Sequence, residues 1–351
     1  DVVSSPDSYL IVEGVLNVGG ATTIRISRST GINSTGLAPE LNAQVFVEGK
    51  DNTTRTVPGT GGGNYSSANL NLELSKEYRV RIRTTSGKEY LSAYVIARET
   101  PAIDSIGWRR DNEGVRLYVN THDATNATRY YRWDYEETWE IQSYFNSIYI
   151  YNRNTNTIRE RLFSELVRRG WKYNNSSSIL LASSARLQSD IIFEAPLRFI
   201  GNNDEKLAIR YSILLRQYAL DKEAYDFFEL MKKNTESIGT IFDPQPSEIR
   251  GNISCVTDPD ELVIGFITAS TITEKRIFIS NAQLPGWRYF ESCQTQNVRN
   301  HPDSIKAAFL AGQLEPYDGD IPILPLYYYA SAPTCVDVTK RGASLIQPSY
   351  W

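Results

Sequence analysis

The sequence predicts a mainly β protein: an N-terminal immunoglobulin-like β-sandwich followed by a larger β-rich domain with one principal helix. Short runs of period-two alternation fill residues 8 to 99, and just one later stretch keeps a helical period. Tyrosine, with 22 copies, has an apolar ring and a polar tip that suit half-buried strands and wet recognition surfaces.

The strand runs in the first region are SYLIVEGVL, TTIRISRS, AQVFVEG, TRTVP, NLNLEL, EYRVRIRT and EYLSAYVIA. Tyr78, Val80 and Ile82 alternate with Arg79, Arg81 and Arg83, as a strand with one dry and one wet face requires. Turn residues separate the runs at Gly19-Gly20, Gly49-Lys50-Asp51, Gly61-Gly62-Gly63-Asn64 and Ser86-Gly87-Lys88. Such spacing predicts a sandwich over residues 1–99. The glycine run has no helix after it and reads as a turn rather than a phosphate cradle.

Thr100-Pro101 is the expected hinge, because proline pushes its predecessor to extended geometry. The second domain then spans residues 100–351. Its first strands are SIGWRR, GVRLYVNTHD and YYRWDYEETWEI; in the last, Tyr131, Trp133, Tyr135 and Glu137 share one face. FSELVRRGWKYNNSSS reads as a loop or short helix, followed by strands in SILLAS, DIIFEAPLRFI and LAIRYSILLRQYAL. The principal helix is expected at about 221–237: Asp221 caps it, Gly239 ends it, and Ala224, Phe227, Phe228 and Met231 form its apolar stripe. Beyond it come the strands ELVIGFITASTI and EKRIFISNA, a short helix in NHPDSIKAAFLAGQ, and a proline-flanked strand in DIPILPLYYYASAP.

The closing TCVDVTKRGASLIQPSYW ends in an aromatic residue, as outer-membrane barrel strands do. A spanning strand needs about 9–11 alternating residues, however, and this segment holds an early Lys-Arg-Gly and a late Pro348. It is expected to dock on the second domain.

Composition narrows function. Lys and Arg number 37 against 41 Asp and Glu, for a net charge of −4 without blocks, so nucleic acid is not an expected partner. No apolar run is long enough for a membrane helix; the nearest is interrupted by Glu194, Pro196 and Arg198. The sequence starts at Asp1 without Met or an apolar signal core, which is expected if a targeting segment has been removed.

No motif of metal, nucleotide or nucleophilic chemistry stands out, and no cofactor is expected. His122 and His301 lie in polar stretches near Asp123 and Asp303, with no nucleophile elbow anywhere. The acids Asp134, Glu136, Glu137 and Glu140 beside Trp133 and Trp139 have the composition of a sugar subsite, though the same alternation describes an ordinary salt-bridged strand. Cys255, Cys293 and Cys335 allow one disulfide and one spare thiol, with the pair left open.

The ordered set YLIVEGVLN, EYRVRI, SGKEYLSA, PAIDSIGW, TRYYRWDYEETWEI, RYSILLRQYALDKEAYDFFELMKKNTESIGTIFDPQPSEIRGNISC, ELVIGFITASTITEKRIFI and CVDVTKRGASLIQPSYW resembles the domain-of-unknown-function 4249 lipoproteins of the Bacteroidota. The family's tail commonly carries a second cysteine near the position of Cys335; here Val336-Asp337-Val338 supplies none. The resemblance implies a lipidated cysteine upstream of Asp1 and an outer-membrane location facing the cell exterior. It also implies an outer-membrane β-barrel partner, expected to be a TonB-dependent receptor. The triplets Asp104-Ser105-Ile106 and Asp303-Ser304-Ile305 match an O-glycosylation signal of the same phylum, making Ser105 and Ser304 candidate acceptors.

The expected function is therefore a non-enzymatic accessory subunit that binds a transporter barrel through aromatic anchors. Trp133, Tyr135, Trp139, Tyr327, Tyr328 and Tyr329 are the candidate contacts. A structural subunit of an outer-membrane assembly complex, or an enzyme acting on surface glycan or peptide, are the alternatives.

Overall fold

A computed structural model describes residues 8–30, 36–236, 250–322 and 324–351. It is mainly β. Two sheets make the N-terminal sandwich. One runs in the order Val263–Gly265, Leu10–Asn17, Thr22–Arg28, Asn64–Ser67, Gly59–Gly61; the other runs Ile253–Cys255, Glu89–Ser92, Glu77–Arg83, Gln44–Gly49, Thr54–Val57. Inward residues such as Leu10, Ile24, Val47, Val80 and Tyr90 are fully buried between them.

This sandwich draws three strands from residues 253–270, inside the second region, so the division at residue 99 does not contain it. Leu10–Asn17 pairs in parallel with Val263–Gly265 and Thr268–Ser270, and Ile253–Cys255 pairs with Glu89–Ser92. The close crossing needs glycine at 265: its φ is +149°, and a Cβ there would lie 2.2 Å from the Val12 carbonyl oxygen. NLNLEL is not a strand. Asn71 and Ser75 take positive φ, and the segment buries Leu70 and Leu72 from an irregular backbone, while Asn64–Ser67 supplies the strand instead.

Thr100-Pro101 is pinned rather than free. The Thr100 N–H donates to Thr271 Oγ1 at 2.8 Å, and Thr273 Oγ1 and Gln217 Nε2 donate to the Pro101 carbonyl at 2.9 and 2.8 Å. Two chain crossings thus run side by side between the bodies, bridged at Arg98 and Ser270.

The second body packs a three-stranded sheet, Ile103–Arg110, Gly114–Asp123, Asp190–Gly201, against a five-stranded one containing Arg169–Asn175, Tyr130–Gln142, Arg210–Leu220, Ile272–Ser280 and Leu180–Ser183. FSELVRRGWKYNNSSS contains a single 3-10 turn, Phe163–Glu165, and then the strand Arg169–Asn175. The helix Lys222–Glu236 starts where the Asp221 carboxylate accepts from the Ala224 N–H at 2.8 Å; Ala224 and Phe227 bury against Leu220 and Phe266. Gly239 lies outside the described residues.

A third, smaller core was not foreseen. The hairpin Tyr149–Asn152/Thr157–Glu160, the helix Pro302–Phe309 and the sheet Gln296–Arg299, Tyr327–Ser331, Glu315–Gly319 enclose Tyr149, Tyr151, Val298, Ile305, Phe309 and Tyr328. The disulfide Cys293–Cys335 closes the segment holding most of this lobe, and Cys255 is a buried free thiol in the sandwich.

The C-terminal segment lies across the outer face of the five-stranded sheet. Tyr350 Oη hydrogen bonds to Thr138 Oγ1 at 2.7 Å, and the Trp351 indole N–H donates to Glu140 at 3.3 Å and meets Phe278 edge-on.

Candidate functional site

The aromatic strand Tyr130–Gln142 is enclosed, which corrects its assignment as a contact surface. Trp133, Tyr135 and Trp139 are all buried. The strand has Arg210–Leu220 along one edge and Arg169–Asn175 and Leu180–Ser183 along the other, and its inner face meets the opposing sheet. Trp133 Nε1 donates to Gln217 at 2.8 Å, so its polar atom is satisfied inside the core. The alternation in the sequence was a core signal.

The acids of that strand do not converge on a cleft. Asp134 and Glu136 face Arg216 and Arg276, and Glu140 pairs with Arg169 at 2.6 Å. Glu137 is wholly buried, with Lys206 Nζ at 2.5 Å, Tyr211 Oη at 2.8 Å and Asn174 Nδ2 at 3.1 Å. Burial pushes its carboxyl up, but Lys206, Asn174 and Tyr211 outweigh burial and hold it below the usual carboxylate range. That is a structural ion cluster.

A cavity of about 400 Å³ contains two acids, Glu205 and Glu291, among Tyr144, Trp287, Tyr289 and Phe290. Arg341 lies between them, 2.5 Å from Glu205 and 2.9 Å from Glu291. Burial raises Glu205, yet Lys172, Arg341 and Trp139 hold it low; Glu291 is pushed up by burial against the pull of Arg341. The guanidinium fills the space that a glycosidic bond flanked by two carboxylates would need.

His122 Nδ1 meets Asp104 at 2.8 Å in a cleft of about 550 Å³ between the sandwich and the second body. The Asp104 contact raises the imidazole pKa. No Ser or Cys hydrogen bonds to its other ring nitrogen among the described residues, so no nucleophile is activated there. Glu291, Cys293 and Cys335 lie close together, but the two sulfurs are joined and offer no thiolates to a metal.

One exposed apolar group is in the loop joining Glu315–Gly319 to Tyr327–Ser331, while Leu162 with Phe163, Phe290 and Ile346 are exposed at other places on the surface. Ile321 is 45% exposed, Leu324 80% and Leu326 67%. Tyr327 is exposed beside them, Tyr329 is half-buried, and Tyr328 turns inward against Tyr149, so one member of the expected tyrosine trio belongs to the core. Leu324 has φ +55°, unusual for a side chain of its size, and the loop is framed by Asn300 Nδ2 donating to the Pro325 carbonyl at 2.8 Å. Ile323 lies outside the described residues.

A second apolar group, Ile191 and Phe193, is on the outer face of Asp190–Gly201. Glu194 at φ +48° and the exposed Pro196 interrupt that edge strand. Of the proposed glycosylation acceptors, Ser105 is exposed and accepts from Asn120, and Ser304 is half-buried on the helix Pro302–Phe309.

Fold and site together define a β-sandwich protein with a second β body and a small lobe that presents apolar residues to solvent. The chain belongs to the family described as domain of unknown function (DUF4249), whose profile matches residues 1–276. No curated protein matches it.

Proposed function

We propose that the protein is a non-enzymatic binding subunit, a surface-exposed outer-membrane lipoprotein that docks on a barrel partner, with a TonB-dependent transporter as the partner class. The observation that carries the reading is the loop of Ile321, Leu324, Leu326 and Tyr327. Apolar side chains held outward on a disulfide-closed lobe are costly in water and are explained by a surface that covers them. A rigid frame under a short apolar loop also limits the entropy lost on association. The lipid anchor, the location and the barrel partner rest on the family resemblance.

Co-purification from detergent-solubilised membranes tests this. The reading expects a stoichiometric barrel protein with the tagged, anchored chain, and its loss from Leu324→Asp/Leu326→Asp. A monomer that hydrolyses surface glycan, with activity lost in Glu291→Gln, would replace it with the enzyme alternative.

A further inference from the structure

The strand Gln296–Arg299 is one edge of the lobe's three-stranded sheet. Its residues pair with Tyr327–Ser331 so that Val298 and Asn300 direct their main-chain groups into the sheet; the Asn300 N–H donates to the Leu326 carbonyl at 2.9 Å. By the alternation of an antiparallel ladder, the N–H groups of Asn297 and Arg299 and the Asn297 carbonyl point the other way. Among the described residues none of these three groups has a hydrogen-bond partner. Asn297 and Arg299 are also exposed.

That free edge borders a cavity of about 900 Å³. Four consecutive residues, Gln296 to Arg299, line it. Successive side chains of a strand point to opposite faces, so a cavity that touches four in a row runs along the main chain rather than over one face. The facing wall is the helix Pro302–Phe309 and its continuation, which contributes Ser304, Ala307, Ala308 and Ala311. Those small side chains leave room beside the strand. The other lining groups are mostly amides and hydroxyls, with Arg299 the single charged side chain among them.

We propose that this groove receives an extended polypeptide segment, which adds to Gln296–Arg299 as a further strand. Main-chain hydrogen bonds to Asn297 and Arg299 supply the attraction, and the alanine wall selects small or β-branched side chains on the incoming segment. The Arg299 guanidinium favours an acidic residue or a C-terminal carboxylate at one end. The inference goes beyond the proposed barrel docking and does not depend on it, since it concerns the purified chain alone.

The probe is a capped peptide of alternating threonine and valine, at millimolar concentration, against the purified full chain. Its counterpart is the same peptide N-methylated at every amide, so that neither of its edges can pair with a strand. Amide hydrogen exchange at Asn297 and Arg299 is expected to slow by about tenfold or more with the first peptide and to stay unchanged with the second. Ala307→Trp, which fills the groove, and Asn297→Pro, which removes an N–H that the sheet does not use, each abolish the protection while thermal unfolding stays that of the parent. Absence of protection in the parent, or equal protection by the N-methylated peptide, overturns the proposal.

Discussion

At the scale of single residues, the buried cluster around Glu137 shows why an acid beside aromatics is a poor guide to chemistry. Its partners Asn174, Arg198, Lys206 and Tyr211 come from four separate segments, and nothing local to Glu137 announces them. Glu137→Gln removes one charge and leaves Lys206 unpaired; the expected cost is about 3–5 kcal/mol, read as a lower denaturant midpoint. The Glu137 carboxyl is held low in the folded state, so its contribution is present above the ordinary carboxylate pKa. It is lost as pH falls through the depressed folded value. Parent protein should therefore lose stability on acidification below about pH 4, and more steeply than Glu137→Gln does. Cys255, buried in the sandwich, is expected to resist a maleimide reagent in native protein and to react once the chain is unfolded.

Elements defined by local signals were legible. The helix Lys222–Glu236 followed from a capping aspartate and a 3.6-residue apolar stripe, and the alternating strands Glu77–Arg83 and Gln44–Gly49 from their period of two. Tyr130–Gln142 shows where such reading ends. Burial alternates up to Glu137, and then Thr138 and Glu140 are buried on the outer face as well, because Tyr350 and Trp351 cover them. Arg276 stacks 3.6 Å from the Tyr350 ring centroid. Replacing Tyr350 and Trp351 with alanine should destabilise the second body by about 2 kcal/mol and raise hydrogen exchange in Ile272–Ser280. The tyrosine run at 327–329 was ambiguous for the same reason: a strand turns neighbours to opposite sides, so it cannot present all three.

At the level of the whole molecule, what the sequence concealed is long-range. The parallel pairing of Leu10–Asn17 with strands some 250 residues later has no local signature, so the sandwich looked complete by residue 99. A fragment of residues 1–99 lacks two short strands of one sheet and one of the other, and should fail to give a dispersed amide spectrum. The lobe was hidden likewise, since its core is gathered from a hairpin near residue 150 and segments beyond 295. Its disulfide spans 42 residues, which corresponds to about 4 kcal/mol of unfolded-state restriction. Reduction should therefore loosen the lobe, seen as faster exchange in Pro302–Phe309, while the sandwich keeps its protection.

The central claim is that the apolar loop of the lobe is the docking surface. A photo-crosslinking amino acid placed at Leu324, with one at Phe193 as an exposed apolar control, tests it most directly in cells that make the anchored protein. The account predicts an adduct with an outer-membrane barrel protein from position 324 and none from 193. Adducts from 193 alone, or from neither position, would contradict it.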